Sequence, residues 1–166
     1  VDSLVCTLGD MPRWLTEAEP RTWRALLDMN RLIQESTDRQ LQDDSGIPAT
    51  YYGILVQLSE APDRRMRMSA LAEALEGSQS RLSHAVSRLE DRGWVTRRRC
   101  DSDGRGWYAV LTDAGLEALQ AAAPGHVAQV RRILFDVLSV EQQDCLRELA
   151  EQVSDHLRAT SAADVA

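Results

Sequence analysis

The side chains best placed to do chemistry lie between Ser78 and Arg105, and their chemistry is recognition rather than bond-making. Gln79, Ser80, Arg81, Ser83, His84 and Arg88 form one cluster, behind Ser78. A guanidinium can fork onto guanine O6 and N7 or grip a phosphate, an imidazole can donate to a purine N7, and hydroxyls and amides serve either base or phosphate. Arg97, Arg98 and Arg99 follow, and Arg105 stands between Gly104 and Gly106. Glycines let a loop come close to another backbone, and arginine suits the enhanced negative potential of a narrow minor groove. Catalytic patterns are missing by comparison. His84, His126 and His156 are far apart and form no HExxH or metal-ligand spacing, and there is no GxSxG and no glycine-rich phosphate loop. Asp101 and Asp103 read as a polar turn rather than a metal site. The expectation is a non-enzyme with no cofactor and no metal.

The elements that must hold these residues follow from spacing. Ser69 is expected to cap a short helix with Leu71, Ala72 and Leu75 inward. Glu76-Gly77-Ser78 makes a tight turn, with Gly77 available for positive φ, and Ser78 caps a second helix to about Arg92. Leu82, Val86 and Leu89 recur at i, i+4 and i+7 and face inward, so Ser80, Ser83, His84, Ser87 and Arg88 face out. Gly93 ends that helix. Val95–Arg99 and Trp107–Leu111 read as strands around the polar loop Cys100–Gly106. Arg97–Arg99 alternate across a strand, so they cannot all face one partner; Arg97 and Arg99 are the candidates for phosphate. Helix, tight turn, helix and hairpin make a winged helix-turn-helix. The residues 64–68 lead in extended and are expected to add a small third strand.

In order along the chain, SxLAxxL, SxSRLSxxVxRLExRGWV, DxDxRG and LTxxG resemble the MarR family of bacterial transcription regulators. The resemblance runs from about Trp14 to Arg158. It implies a homodimer on a pseudo-palindromic double-stranded DNA operator, acting as a repressor and released by a small molecule or an oxidant. It also implies that the wing arginine, Arg105, enters the minor groove, and that a wing aspartate, Asp103, orients basic side chains. The wing here is about one residue shorter than the common family form.

Flanking segments complete the architecture. Thr16 with Glu19 is a capping-box pattern opening a helix to about Gln42, and Pro48 starts a short one carrying Tyr51, Ile54, Leu55 and Leu58. Thr112 caps a long helix whose apolar stripe runs from Leu116 to Val137 and is expected to kink at Pro124. Ser139 with Gln142 caps a last helix to about Arg158. The fold class expected is mainly α with a small β-hairpin wing. In it a winged lobe (46–111) is flanked by dimerisation helices (14–45 and 112–160) within one domain (1–166), because such long apolar stripes need a second copy to cover them.

Composition agrees. All 19 basic residues are arginine, and the net charge is −7. Residues 64–107 hold ten arginines against six acids, a local +4, while the remainder carries −11. Salt screens charges beyond ~8 Å, so the local face decides phosphate binding. No apolar run approaches membrane-spanning length, no signal peptide is legible at the start, and Cys6, Cys100 and Cys145 form no CxxC or paired framework, which fits a cytoplasmic setting. For sensing, Trp14, Trp23, Tyr51 and Tyr52 are candidates to line a pocket for a small aromatic or anionic effector. Two alternatives stand beside this: a redox regulator using Cys100, and a protein–protein adaptor that uses the winged fold without DNA.

Overall fold

A computed structural model describes residues 13–75, 77–100 and 103–163, of which 103–105 and 161–163 are described by backbone alone. The chain divides into two compact units, Val1–Glu35 and Ser36–Ala166. The elements are α1 (Glu19–Ser45), α2 (Ala49–Glu60), β1 (Arg65–Arg67), α3 (Met68–Ala74), α4 (Gln79–Asp91), β2 (Val95–Cys100), β3 (Asp103–Leu111), α5 (Asp113–Ile133) and α6 (Val140–Ala163). Short 3-10 turns stand at Pro62–Arg64 and Phe135–Val137. The architecture is mainly helical with one small antiparallel sheet of order β1-β3-β2. Among the described residues no helix is long and apolar enough to cross a membrane.

In the first unit, the Thr16 backbone N–H donates to Glu19 Oε2 at 2.6 Å, which is one half of the capping box, and the helix opens at Glu19. Arg31 is clamped between Asp28 and Glu35, one turn away on either side. Trp23, Leu26, Leu27 and Leu32 are exposed.

In the second unit the core lies under the sheet. Ile54, Leu55 and Leu58 of α2, Leu71 of α3, Val86 and Leu89 of α4, and Val95 and Ala109 of the strands are all buried. Each of the leucine, isoleucine and valine side chains contributes about 1.5–3 kcal/mol. The inward set read from the spacing of α4 is therefore the buried set, with Ala85 added. A smaller cluster of Leu41, Ile47 and Ala122 fixes the end of α1 against α5. Asp38 accepts the Ala49 N–H at 2.8 Å, serving the first turn of α2, which Pro48 cannot cap with a side chain.

Strand pairing sorts the sheet into two faces. Met66, Ala109 and Arg97 stand in one cross-strand row, and Arg67, Tyr108 and Arg98 in the next. Because Ala109 is fully buried, the first row faces the helices and the second faces away.

Several local expectations are corrected. Ser69 is not a cap: β1 runs straight into α3, and extended Arg67 (ψ 141°) is the N-cap residue, with no side-chain bond. Gly77 keeps a negative φ, its N–H closing the turn on the Ala72 carbonyl at 3.0 Å; positive φ among the described glycines belongs to Gly46 and Gly93. Strand β3 begins at Asp103 rather than Trp107, with Cys100 paired to Asp103 after an irregularity at Arg99/Cys100. The stripe from Leu116 to Val137 is split, since α5 runs through Pro124 as one helix but ends at Ile133. Ser139 and Gln142 do form a reciprocal box, with N–H donors to each other's side-chain oxygens at 2.9 and 3.3 Å.

Candidate nucleic-acid interface

The interface is built on α4. Ser78 Oγ accepts the Arg81 N–H at 3.3 Å, so the first turn is capped and its outer side chains are held in a defined phase. Gln79, Ser80, Arg81, Ser83, His84 and Arg88 are all exposed. Burial of Leu82, Ala85, Val86 and Leu89 leaves no other face for them. Among the described residues Arg88 meets only Asp91, at 3.6 Å with both side chains well exposed, a pairing weak enough to be exchanged for a phosphate or a base.

Arg97 behaves differently. Its Nη2 donates to the Ser83 carbonyl at 2.6 Å and lies 3.4 Å from Ser83 Oγ. Its Nη1 pairs with Glu90 Oε2 at 3.1 Å, and its backbone N–H donates to Glu90 Oε1 at 2.9 Å. Arg97 thus pins strand β2 to the middle and the end of α4, and its donors are committed within the fold. Arg99 takes the other course: its guanidinium lies over the exposed Trp107 ring, 5.4 Å from the centroid. Arg98, on the opposite sheet face, points away from α4. Between the start of α4 and the sheet lies a cleft of about 560 Å³ lined by Gln79, Ser83, Arg97 and Trp107, with Arg67 and Met68 on its far side.

Asp103 and Arg105 belong to β3 by backbone, but their side chains, like residues 101 and 102, lie outside the described residues. Of the aromatic candidates, Tyr51 and Tyr52 are half-buried and pack against the core, whereas Trp14 and Trp23 are exposed in the first unit. The Tyr52 and His126 rings meet at a tilt of 49° with centroids 4.6 Å apart; burial lowers the affinity of His126 for a proton and raises that of the Tyr52 hydroxyl for its own. Cys100 is buried and Cys145 exposed, and Cys6 lies outside the described residues. Among the described residues no group of histidine, cysteine and acidic side chains could hold a metal ion.

Sequence reasoning missed the Glu90–Arg97–Ser83 lock. Its signal was available, because Glu90 stands on α4 beside the inward row and Arg97 has the inward parity of Val95. It also missed how α5 is joined. Thr112 Oγ1 donates to the Gly93 carbonyl at 2.7 Å and accepts the Gly115 N–H at 3.0 Å. A side chain at Gly115 would run into the Trp94 carbonyl and Leu111. The threonine and glycine of the LTxxG stretch therefore dock α5 on the turn that follows α4.

Comparison with known proteins agrees with this geometry. A family profile described as the MarR family matches residues 45–106. The chain is similar to Sco3205, a MarR family transcriptional regulator from Streptomyces coelicolor crystallised in complex with DNA, at 51% identity and a TM-score of 0.83 over 88% of this chain and 92% of that one. It is similar to AbsC, a MarR family transcriptional regulator from the same organism, at 45% identity and a TM-score of 0.82 over 89% and 99%. By sequence it is 27% identical over 134 residues to the transcriptional repressor MprA of Escherichia coli (strain K12), covering 81% of this chain and 75% of that protein.

Proposed function

This chain belongs to the MarR family of transcriptional regulators, and from that premise we propose that it binds a pseudo-palindromic DNA operator as a homodimer, represses from it, and leaves it on meeting a small-molecule effector. The observation that carries the DNA reading is the capped helix α4, whose exposed polar face is locked to the sheet by Arg97. Gln79, Ser80, Arg81, Ser83, His84 and Arg88 enter the major groove in this reading, with Ser78 and Arg99 at phosphates and Arg105, steadied by Asp103, in the minor groove. Arg97 positions rather than contacts. The relative Sco3205, crystallised with DNA, supports the same partner.

The dimer is supported by apolar surface without cover. Val140, Leu149, Val153 and Leu157 of α6 are each more than half exposed. Residues 14–45 and 112–160 are the dimerisation segments in this reading, and 46–111 the DNA-binding lobe. Effector release is favoured over thiol oxidation because Cys100 is only 3% exposed.

Fluorescence anisotropy on DNA flanking the protein's own gene tests the proposal. Saturable binding that falls steeply with salt and is at least tenfold tighter than on a scrambled duplex is the expected result. Equal affinity for both duplexes overturns it.

A further inference from the structure

The sheet face turned away from α4 carries a basic depression of which the DNA reading uses only Arg99. Arg67, Tyr108 and Arg98 stand directly across from one another on the three strands, and Arg65 lies opposite Val110 on the same face. The Arg65 and Arg67 guanidinium groups lie 5.4 and 5.9 Å from the Tyr108 ring centroid. Arg65, Arg98, Arg99, Tyr108 and Val110 surround a cavity of about 440 Å³, with Asp63 at its rim. Asp63 is the one carboxylate among the lining residues, held at φ 53° and paired with Arg65 at 3.3 Å across exposed side chains. Such an exposed pair is worth little and is readily exchanged. Arg98 has no carboxylate partner among the described residues.

We propose that this outer face of the sheet is a binding site for a small multivalent phosphate, either the free anion or a phosphate ester. Forked guanidinium donors match phosphate oxygens, the Tyr108 hydroxyl adds a further donor, and the concave shape suits a compact ligand rather than a flat macromolecular surface. The site stands by itself; its effect on the operator rests on the DNA-binding reading above. Bound phosphate places negative charge beside the wing and weakens its attraction to DNA.

Calorimetry of the full chain without DNA, titrated with sodium pyrophosphate at constant ionic strength, tests the site. One saturable site per chain is expected, with affinity at least tenfold weaker in R65Q/R98Q and unchanged in R88A. R98Q alone, at an exposed residue, should weaken it at least threefold while circular dichroism stays native. A nucleoside diphosphate binding tighter than pyrophosphate identifies the ligand as an ester, and the reverse order as the free anion; either order supports the site. No saturable pyrophosphate binding, or binding retained in R65Q/R98Q, overturns the proposal. Saturable polyglutamate binding without pyrophosphate binding overturns it too, in favour of an acidic protein segment. A parallel operator titration separates the readings: pyrophosphate binding with no operator binding leaves the site standing and removes the DNA reading. Operator binding with no pyrophosphate binding does the opposite.

Discussion

Glu90 carries the charge balance of the interface, because it accepts the Arg97 N–H and neutralises its guanidinium between α4 and β2. The two side chains are 30% and 25% exposed, between a surface pair and a buried one. Glu90→Gln should therefore cost about 1–2 kcal/mol in urea unfolding and weaken operator binding together with it. An operator affinity equal to the parent's would show that the lock is not needed for reading. Arg88, held loosely, should act by itself: Arg88→Ala should cost roughly 1–3 kcal/mol on the specific site if it reads a base. Equal losses on specific and random duplexes would assign it to phosphate. His126 gives a pH dependence. Burial holds its folded-state value below 6.5, so the unfolded chain takes the proton more readily. Stability that depends on neutral His126 is present above 6.5 and is lost as pH falls through the folded value. His126→Phe should flatten the fall in urea midpoint between about pH 7 and about pH 5; identical slopes in both proteins would refute this. The residue scale was the least legible in sequence. Strand parity told that Arg97, Arg98 and Arg99 part ways and put Arg97 on the side of Val95, but not that Glu90 and the Ser83 carbonyl would take up its donors.

Elements were far more legible, and the reason is periodicity. The buried face of α4, the Ser78 cap, the Thr112 cap and the Ser139–Gln142 box all follow from residue type at fixed spacing. The failures share one cause, which is tertiary context overriding a local signal. Ser69 could not cap α3, because β1 is drawn into pairing with β3 and delivers its extended end, Arg67, two residues earlier. Gly77 had its turn closed by Ala72 without needing left-handed backbone. At this scale Gly115→Ala is the sharpest test. The added methyl meets backbone at Trp94, and the start of α5 must shift, at a cost of about 1–3 kcal/mol. Ser78→Ala removes the α4 cap at about 0.5–2 kcal/mol. Thermal unfolding followed by circular dichroism measures both; an unchanged midpoint for Gly115→Ala would mean that α5 does not seat as described.

For the whole molecule, the mainly helical fold with its small sheet was readable because helix, turn, helix and hairpin occur in order with consistent signals at each step. What covers the apolar stripes was readable only as a need. Leu149, Val153 and Leu157 keep their spacing along α6 and remain exposed. A chain that leaves such a stripe open should assemble, so light scattering should give twice the chain mass, and removal of 140–166 should give aggregated or unfolded material. A stable, soluble monomer of the intact chain would remove the dimer from the account.

The sheet order also fixes a sequence in time. Strand β2 is the hairpin neighbour of β3, whereas β1 pairs with residues about forty positions further along the chain. During synthesis at about 5–20 residues per second, β1 waits roughly 2–8 s for the strand that completes it. Both helices of the reading motif emerge first, and the wing is the last part of the lobe to be made. A nascent chain in that interval carries α4 beside an unfinished sheet, and the three strands are all present only once Leu111 has been made.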